Sequence, residues 1–221
     1  NLRSPKRLKN SHSNIINSRT RLMFSYGLGD AGTGLAATQL GFYLFPFFIG
    51  YAGLPALVAG SILMLIKIWD AINDPLIGWL SDKTNTRWGP RIPWMLTASL
   101  PLGFTLAAIW WVPNGTLIER TTYYIVISIL LMTAYTCVNL PFAALSTELS
   151  EEIKIRTRLN AARFTGSIIA GLSGLVIAAN ILSINESGYF LMGRISGIVA
   201  ALATLISCWG LAPFAKKARR P

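Results

Sequence analysis

The sequence is poor in the residues that do covalent chemistry. It has one histidine, two cysteines and nine carboxylates among 221 residues. The histidine, His12, lies in a polar opening stretch, so chemistry built on a buried imidazole is excluded. Cys137 and Cys208 fall inside apolar runs and read as small buried hydrophobes, not as a disulfide or a metal pair. No metal-ligand cluster and no nucleophile–base pair stands out, which argues against an enzyme and against a bound cofactor. Charge is scarce too: 13% of residues are charged, where a soluble domain has about 25%.

What the chain has is apolar length. Half of it, 52%, is hydrophobic, and the hydrophobic residues gather in six runs, at about 22–49, 56–80, 92–112, 121–145, 159–184 and 189–214. Each is long enough to cross a bilayer with some tilt. Such lengths exclude barrel strands, so each crossing must be a helix that satisfies its own backbone. The expected fold is an all-α membrane protein of six transmembrane helices.

The net charge of +11 does not signal nucleic acid, because the basic residues cluster between apolar runs and not on one face. They are dense in the opening stretch, around Lys83, Arg87 and Arg91, around Lys154, Arg156 and Arg158, and at the closing Lys216 to Arg220. The alternate links carry few or none. By the positive-inside rule both termini are cytoplasmic, in a multi-pass protein of the plasma or inner membrane. The expected division is a basic tail over 1–20, a bundle over 21–214, and a second basic tail or linker start over 215–221. The chain opens without Met and without a signal-peptide core, and reads as a fragment of its gene product.

Charge inside the apolar runs is the functional clue. Lys67, Asp70 and Asp74 interrupt the second run. Each costs roughly 2.5–3.5 kcal/mol at mid-membrane. On a helix they share an arc of about 60°, so they see one cavity. Together they sum to one negative charge, which one monovalent cation or proton would neutralise. Pro75 frees the carbonyl of Ala71 beside them, a further cation ligand. A buried ion-pair network that only fixes helix packing is the competing reading.

Other polar residues extend the pattern. The fourth run carries Thr136 and Asn139 ahead of Pro141, and these either face the cavity or bond between helices. The glycine-rich first run carries Asp30 and Gln39; its glycines allow close helix approach or local unwinding. Asp30 competes between the cavity and a salt bridge to an inner-loop arginine. Arg163 either snorkels to the interface or reaches inward to a substrate. Asp82, Arg87 and Arg91 in the link after the second run are candidates for a cytoplasmic latch.

Three stretches carry a resemblance. Tyr-Gly-Leu-Gly-Asp at 26–30, Ile-Trp-Asp-Ala-Ile-Asn-Asp-Pro at 68–75 and Gly-Trp-Leu-Ser-Asp-Lys-Thr-x-x-Arg-Trp-Gly at 78–89 resemble the glycoside–pentoside–hexuronide:cation symporters of the major facilitator superfamily. The likeness covers about 21–214 and implies the N-terminal six-helix half of a twelve-helix transporter. It implies a coupling cation, sodium or proton, on Asp70 and Asp74, with Thr136 contributing. Asn139 stands where the family has an Asp shared by cation and sugar. Ala143 stands at the sugar-stacking Trp, Thr33-Gly34 at a Lys-Asp pair, and Lys67 at an Arg. The fifth-helix Arg is kept, as Arg163. The cation half of the site is therefore largely kept and the galactoside half is not.

The expected function is a cation-coupled symporter of a sugar, glycoside or similar polar solute working by alternating access. Asp70, Asp74, Thr136 and Asn139 would bind the cation, and Arg163, Lys67, Asp30 and Gln39 the solute. Partners would be the small-molecule solute, membrane lipid and a second six-helix half: a C-terminal continuation, a second copy or a partner chain. The alternatives are a lysolipid-type transporter of the same superfamily and a six-helix structural or partner-binding subunit without transport of its own.

Overall fold

The computed structural model describes residues 20–150, 152–184 and 188–218. The tail expected over 1–20 lies outside these residues except for Thr20, and Arg219 and Arg220 lie outside them as well. The regular elements among the described residues are all helices. Five helices are long and apolar enough to cross a bilayer: α1 (Thr20–Tyr51), α2 (Ala56–Lys83), α4 (Leu117–Leu149), α5 (Ile153–Ile184) and α6 (Tyr189–Ala218). A sixth apolar helix, α3 (Ile92–Ala108), is shorter at 17 residues, the lower limit for a span.

The helix ends depart from the expected bounds for local reasons. The third run was expected to reach 112, but α3 stops at Ala108 and the amides of Trp110 and Trp111 turn back to carbonyls three residues earlier. Pro113 disfavours helix at Val112. Helix α4 starts four residues early because Thr116 and Glu119 form a capping box, satisfying two amides reciprocally. Helix α5 starts at Ile153, so Lys154, Arg156 and Arg158 lie on its first turns and not in a link. Pro75 and Pro141 are both carried inside continuous helices.

The helices pack in the order α5, α1, α6, α3, α4, α2, with α3 on α6 and α1 on α5 the most extensive contacts. Small residues allow this. A Cβ added at Gly103 of α3 would lie 2.6 Å from the carbonyl oxygen of Gly197 of α6, and one at Gly27 of α1 would lie 3.0 Å from that of Ala162 of α5. Backbones at this separation are the usual signature of helix association in lipid, where apolar side chains gain little by leaving the acyl chains.

Two apolar clusters fill the interior. One gathers Phe47, Phe48, Trp110 and Tyr124 at the end where α1 closes in a π-helical turn, Phe47–Tyr51. There Phe47 meets Trp110 edge-on at 5.2 Å and Tyr189 lies over Trp110 at 5.9 Å. The other gathers Tyr26, Met95, Phe142 and Leu211 at the opposite end. Helices α2 and α5 contribute least, with 22% and 17% of their most apolar windows buried. Each leaves most of its surface uncovered.

Gly103→Val should lower stability by roughly 1–3 kcal/mol, the range for overpacking, because a backbone carbonyl cannot move aside. Gly60→Ala, where a Cβ meets nothing within 4 Å, should leave the midpoint unchanged or raise it slightly. Thermal unfolding of both variants in the same detergent checks the pair.

Candidate functional site

Between the two apolar clusters lies a polar layer. Asp30 interrupts α1 as a single turn residue, with φ −93° and ψ −5°. It is buried, and both of its carboxylate oxygens are occupied. Arg163 Nε donates to Oδ2 at 3.0 Å, and Thr33 Oγ1 donates to Oδ1 at 2.8 Å. Arg163 also donates through Nη2 to Asn139 Oδ1 at 2.9 Å. Phe142 and Phe164 flank the guanidinium, their ring centroids 5.6 and 5.7 Å away. This node ties α1, α4 and α5 together and is electrically neutral, one carboxylate against one guanidinium.

The node places three of the expected site residues. Asp30 does not reach an inner-loop arginine; its partner is Arg163 of α5. Its two carboxylate oxygens are each engaged by a group of the protein. Asn139, expected among the cation ligands, is bonded to Arg163. Arg163 does turn inward and does not snorkel, with 14% of its side chain exposed. Nη1 of its fork takes no part in these bonds. Gln39, expected in the solute site, is buried where α1 packs on α5 and donates to the Gly174 carbonyl at 3.4 Å.

A second polar group lies between α2 and α4. Thr136 Oγ1 donates to Asp74 Oδ1 at 3.1 Å. Asp70, one turn earlier, pairs with Lys67 at 3.7 Å. That lysine is 81% exposed and Asp70 27% exposed. A long, exposed lysine is a loose partner, contributing about 1 kcal/mol or less. Asp74 has no basic partner among the described residues. The two carboxylates thus share one helical face, Asp70 part-exposed and Asp74 exposed, with a single exposed lysine paired to the first of them, unlike buried Asp30 with its fixed arginine. Trp69 fixes α2 against α4 by donating Nε1 to Thr133 at 3.0 Å.

Lys67 and Asp70 stand at the wall of a cavity of about 340 Å³ between α1, α2 and α4. The rest of the wall is mainly apolar, with Leu40, Leu44, Leu63 and Leu131 among its residues, and Tyr135 on the polar side. Ser128 also lines it, and its buried hydroxyl has no hydrogen-bond partner. Asn73, which lies between the two aspartates in sequence but on a buried face of α2, likewise leaves Nδ2 unpartnered.

At the end of the bundle beyond the second cluster, Arg91 gathers three groups. It donates to Ser81 Oγ at 2.8 Å and to Glu148 Oε1 at 3.1 Å, and it pairs with Asp82. The link after α2 is thereby fastened to the end of α4. Arg87 is not part of this knot; it lies over the Trp88 ring at 4.8 Å. Glu148 was not foreseen, since a single acid at a span end reads as ordinary interfacial charge.

Residues 25–221 match the family described as MFS/sugar transport protein. The chain belongs to the glycoside–pentoside–hexuronide:cation symporter family of the major facilitator superfamily. It is 38% identical over 207 residues to an uncharacterized symporter of Synechocystis, covering 89% of this chain and 38% of that one. It is 30% identical over 159 residues to a glucuronide carrier protein homolog of Escherichia coli, covering 72% and 34%. It is also 30% identical over 158 residues to the sodium-dependent lysophosphatidylcholine symporter 1 of Xenopus tropicalis, covering 71% and 30%. The chain spans less than two fifths of the length of each. The family is one of membrane transporters and not of enzymes.

The neutral node gives a stability test. Arg163→Ala leaves Asp30 charged and buried without a partner, a loss of about 3–5 kcal/mol. The pair Asp30→Asn with Arg163→Gln removes both charges and should recover most of that loss. Chemical or thermal unfolding of the purified variants measures both; equal loss in the single and double variants would deny the pair its charge-balancing role.

Proposed function

We propose that this chain forms one wall of a cation-coupled symporter that works by alternating access. The observation that carries the reading is the unequal treatment of the carboxylates among the apolar helices, buried Asp30 on one side and part-exposed Asp70 with exposed Asp74 on the other. Asp30 has a fixed guanidinium, whereas Asp70 and Asp74 share one exposed lysine and a threonine hydroxyl. The α2–α4 group therefore keeps one uncompensated negative charge, which a sodium ion or proton would neutralise. A hard monovalent cation suits carboxylate and hydroxyl oxygens. The site lies at the polar layer between the two apolar clusters, the depth at which transporters of this architecture hold their ions.

In this reading the described helices make six crossings, with α3 the shortest, and both termini lie on the cytoplasmic side. The faces of α2 and α5 left uncovered by their own bundle meet a second six-helix half, whether a continuation of the chain, a second copy or another polypeptide. The knot at Arg91, Asp82 and Glu148 holds the cytoplasmic end in one conformation. A cation raises solute affinity only through its different affinity for the two conformations.

Two solute classes follow from the relatives' names, sugars and lysophospholipids. The polar layer, with the free edge of Arg163, favours a polyhydroxylated or anionic headgroup. The mainly apolar cavity above Asp70 favours a solute that also carries an apolar portion. An amphipathic solute satisfies both, and a plain sugar satisfies only the first.

The full-length gene product reconstituted in vesicles tests the reading. Uptake should follow an imposed sodium or proton gradient. Asp70→Asn and Asp74→Asn should each abolish gradient-driven uptake while insertion and unfolding midpoint hold. Gradient-driven uptake that survives both changes would remove the aspartates from coupling. Competition by glycosides and lysophospholipids in the same vesicles separates the two solute classes.

A further inference from the structure

The seam between α3 and α6 lies away from the polar layer. It carries one charged residue that nothing above uses. Arg194 follows the start of α6 at Tyr189 by five residues, about 7.5 Å of helical rise. It is exposed, and among the described residues no carboxylate pairs with it and no group accepts its hydrogen bonds. The Phe190 ring lies 5.7 Å from its guanidinium carbon. Five N–H donors on a permanently charged fork are thus left to whatever surrounds the protein.

What surrounds it is an apolar groove of about 300 Å³ that runs from Arg194 toward Ala201. Its floor is formed by Gly103 and Gly197, where the α3 and α6 backbones touch. Its walls are the exposed side chains of Leu100, Phe104 and Ile198. The seven residues from Arg194 to Ala201 cover about 10 Å of helix. The surface is therefore a cation at one end of a narrow hydrocarbon-lined trough, set just inside one end of the bundle. Snorkelling alone explains an arginine that reaches water, but it does not explain the trough that begins at its guanidinium.

We propose that Arg194 and this groove form a binding site for a membrane phospholipid, with the phosphodiester on the guanidinium and one acyl chain along the α3–α6 seam. A guanidinium fork matches phosphate oxygens, and the groove matches the chain in polarity and in width. The complementarity is amphipathic, so neither a free phosphate nor an uncharged lipid satisfies it. The opposite end of the same seam supplies an internal comparison. There a groove of about 510 Å³ is lined by Ile92, Leu96 and the 86%-exposed Trp209, with no basic residue in its wall. That groove offers hydrocarbon contact without the charge.

Photocrosslinking tests the site in the full-length gene product, in nanodiscs of equal phosphatidylglycerol and digalactosyldiacylglycerol. A benzoylphenylalanine is placed at position 104 or, for comparison, at position 209, and the captured lipid is identified by mass. At position 104 phosphatidylglycerol should exceed the galactolipid roughly five-fold, the gain expected for one arginine near anionic lipid. Arg194→Gln should reduce that ratio to the one found at position 209, while an unchanged unfolding midpoint shows the fold intact. Arg194→Lys that keeps the ratio supports a charge contact; loss in both variants supports a forked one. Equal ratios at the two positions, or a ratio at 104 that Arg194→Gln leaves unchanged, would reduce the groove to ordinary boundary lipid and overturn the proposal.

Discussion

Charge set among apolar helices must be matched, and the polar layer of this bundle matches it in two different ways. Asp30 has a guanidinium at 3.0 Å and a hydroxyl at 2.8 Å, so its charge is settled inside the protein. Asp70 and Asp74 have one exposed lysine and one hydroxyl between them. An uncompensated carboxylate among membrane-spanning helices is unfavourable unless something mobile joins it. The rest of the arrangement follows from that contrast: one pair holds helices in place, and in the proposed reading the other leaves a negative charge for an ion to balance.

The fixed pair depends on close packing. Arg163 reaches Asp30 only because α1 and α5 approach at Gly27 and Ala162, and glycines continue that approach along both helices. The resulting contact puts the guanidinium between Phe142 and Phe164, where water is scarce and the ion pair strengthens. The same economy of small residues operates at the α3–α6 seam, where Gly103 and Gly197 touch. There the outer surface is left as a trough facing lipid. Backbone proximity thus fixes both the interior node and the outer groove.

The sequence carried the α2 group plainly, because charges inside a 28-residue apolar helix have few innocent explanations and their spacing fixes a shared face. It carried the Asp30 node poorly. Periodicity places a residue on a helix face but does not say which helix lies opposite, and Arg163 is 133 residues away from Asp30. For the same reason Gln39 read as a cavity residue, although it packs between α1 and α5. The early starts of α4 and α5 were hidden because hydropathy sees side chains, while the capping box at Thr116 and the basic first turns of α5 are polar yet helical. Glu148 was hidden in another way: a lone acid at a span end looks the same whether or not an arginine in the distant link after α2 grips it.

The two polar groups are separated by one turn of α4. Thr136 bonds Asp74, and Asn139, three residues on, bonds Arg163. A hydroxyl is both donor and acceptor. With the carboxylate unoccupied, Thr136 donates to it; with a cation in place, the same oxygen turns a lone pair to the ion and its proton must go elsewhere. In the proposed cycle that exchange draws α2 and α4 to a new separation. Because α4 is continuous through Pro141, its next turn moves with it and carries Asn139 relative to Arg163. Ion occupancy then alters how firmly the guanidinium is held, and so how readily its unused Nη1 edge meets a solute. The coupling free energy in this scheme is the difference between those two holds on Arg163, and α4 is the rigid element that transmits it.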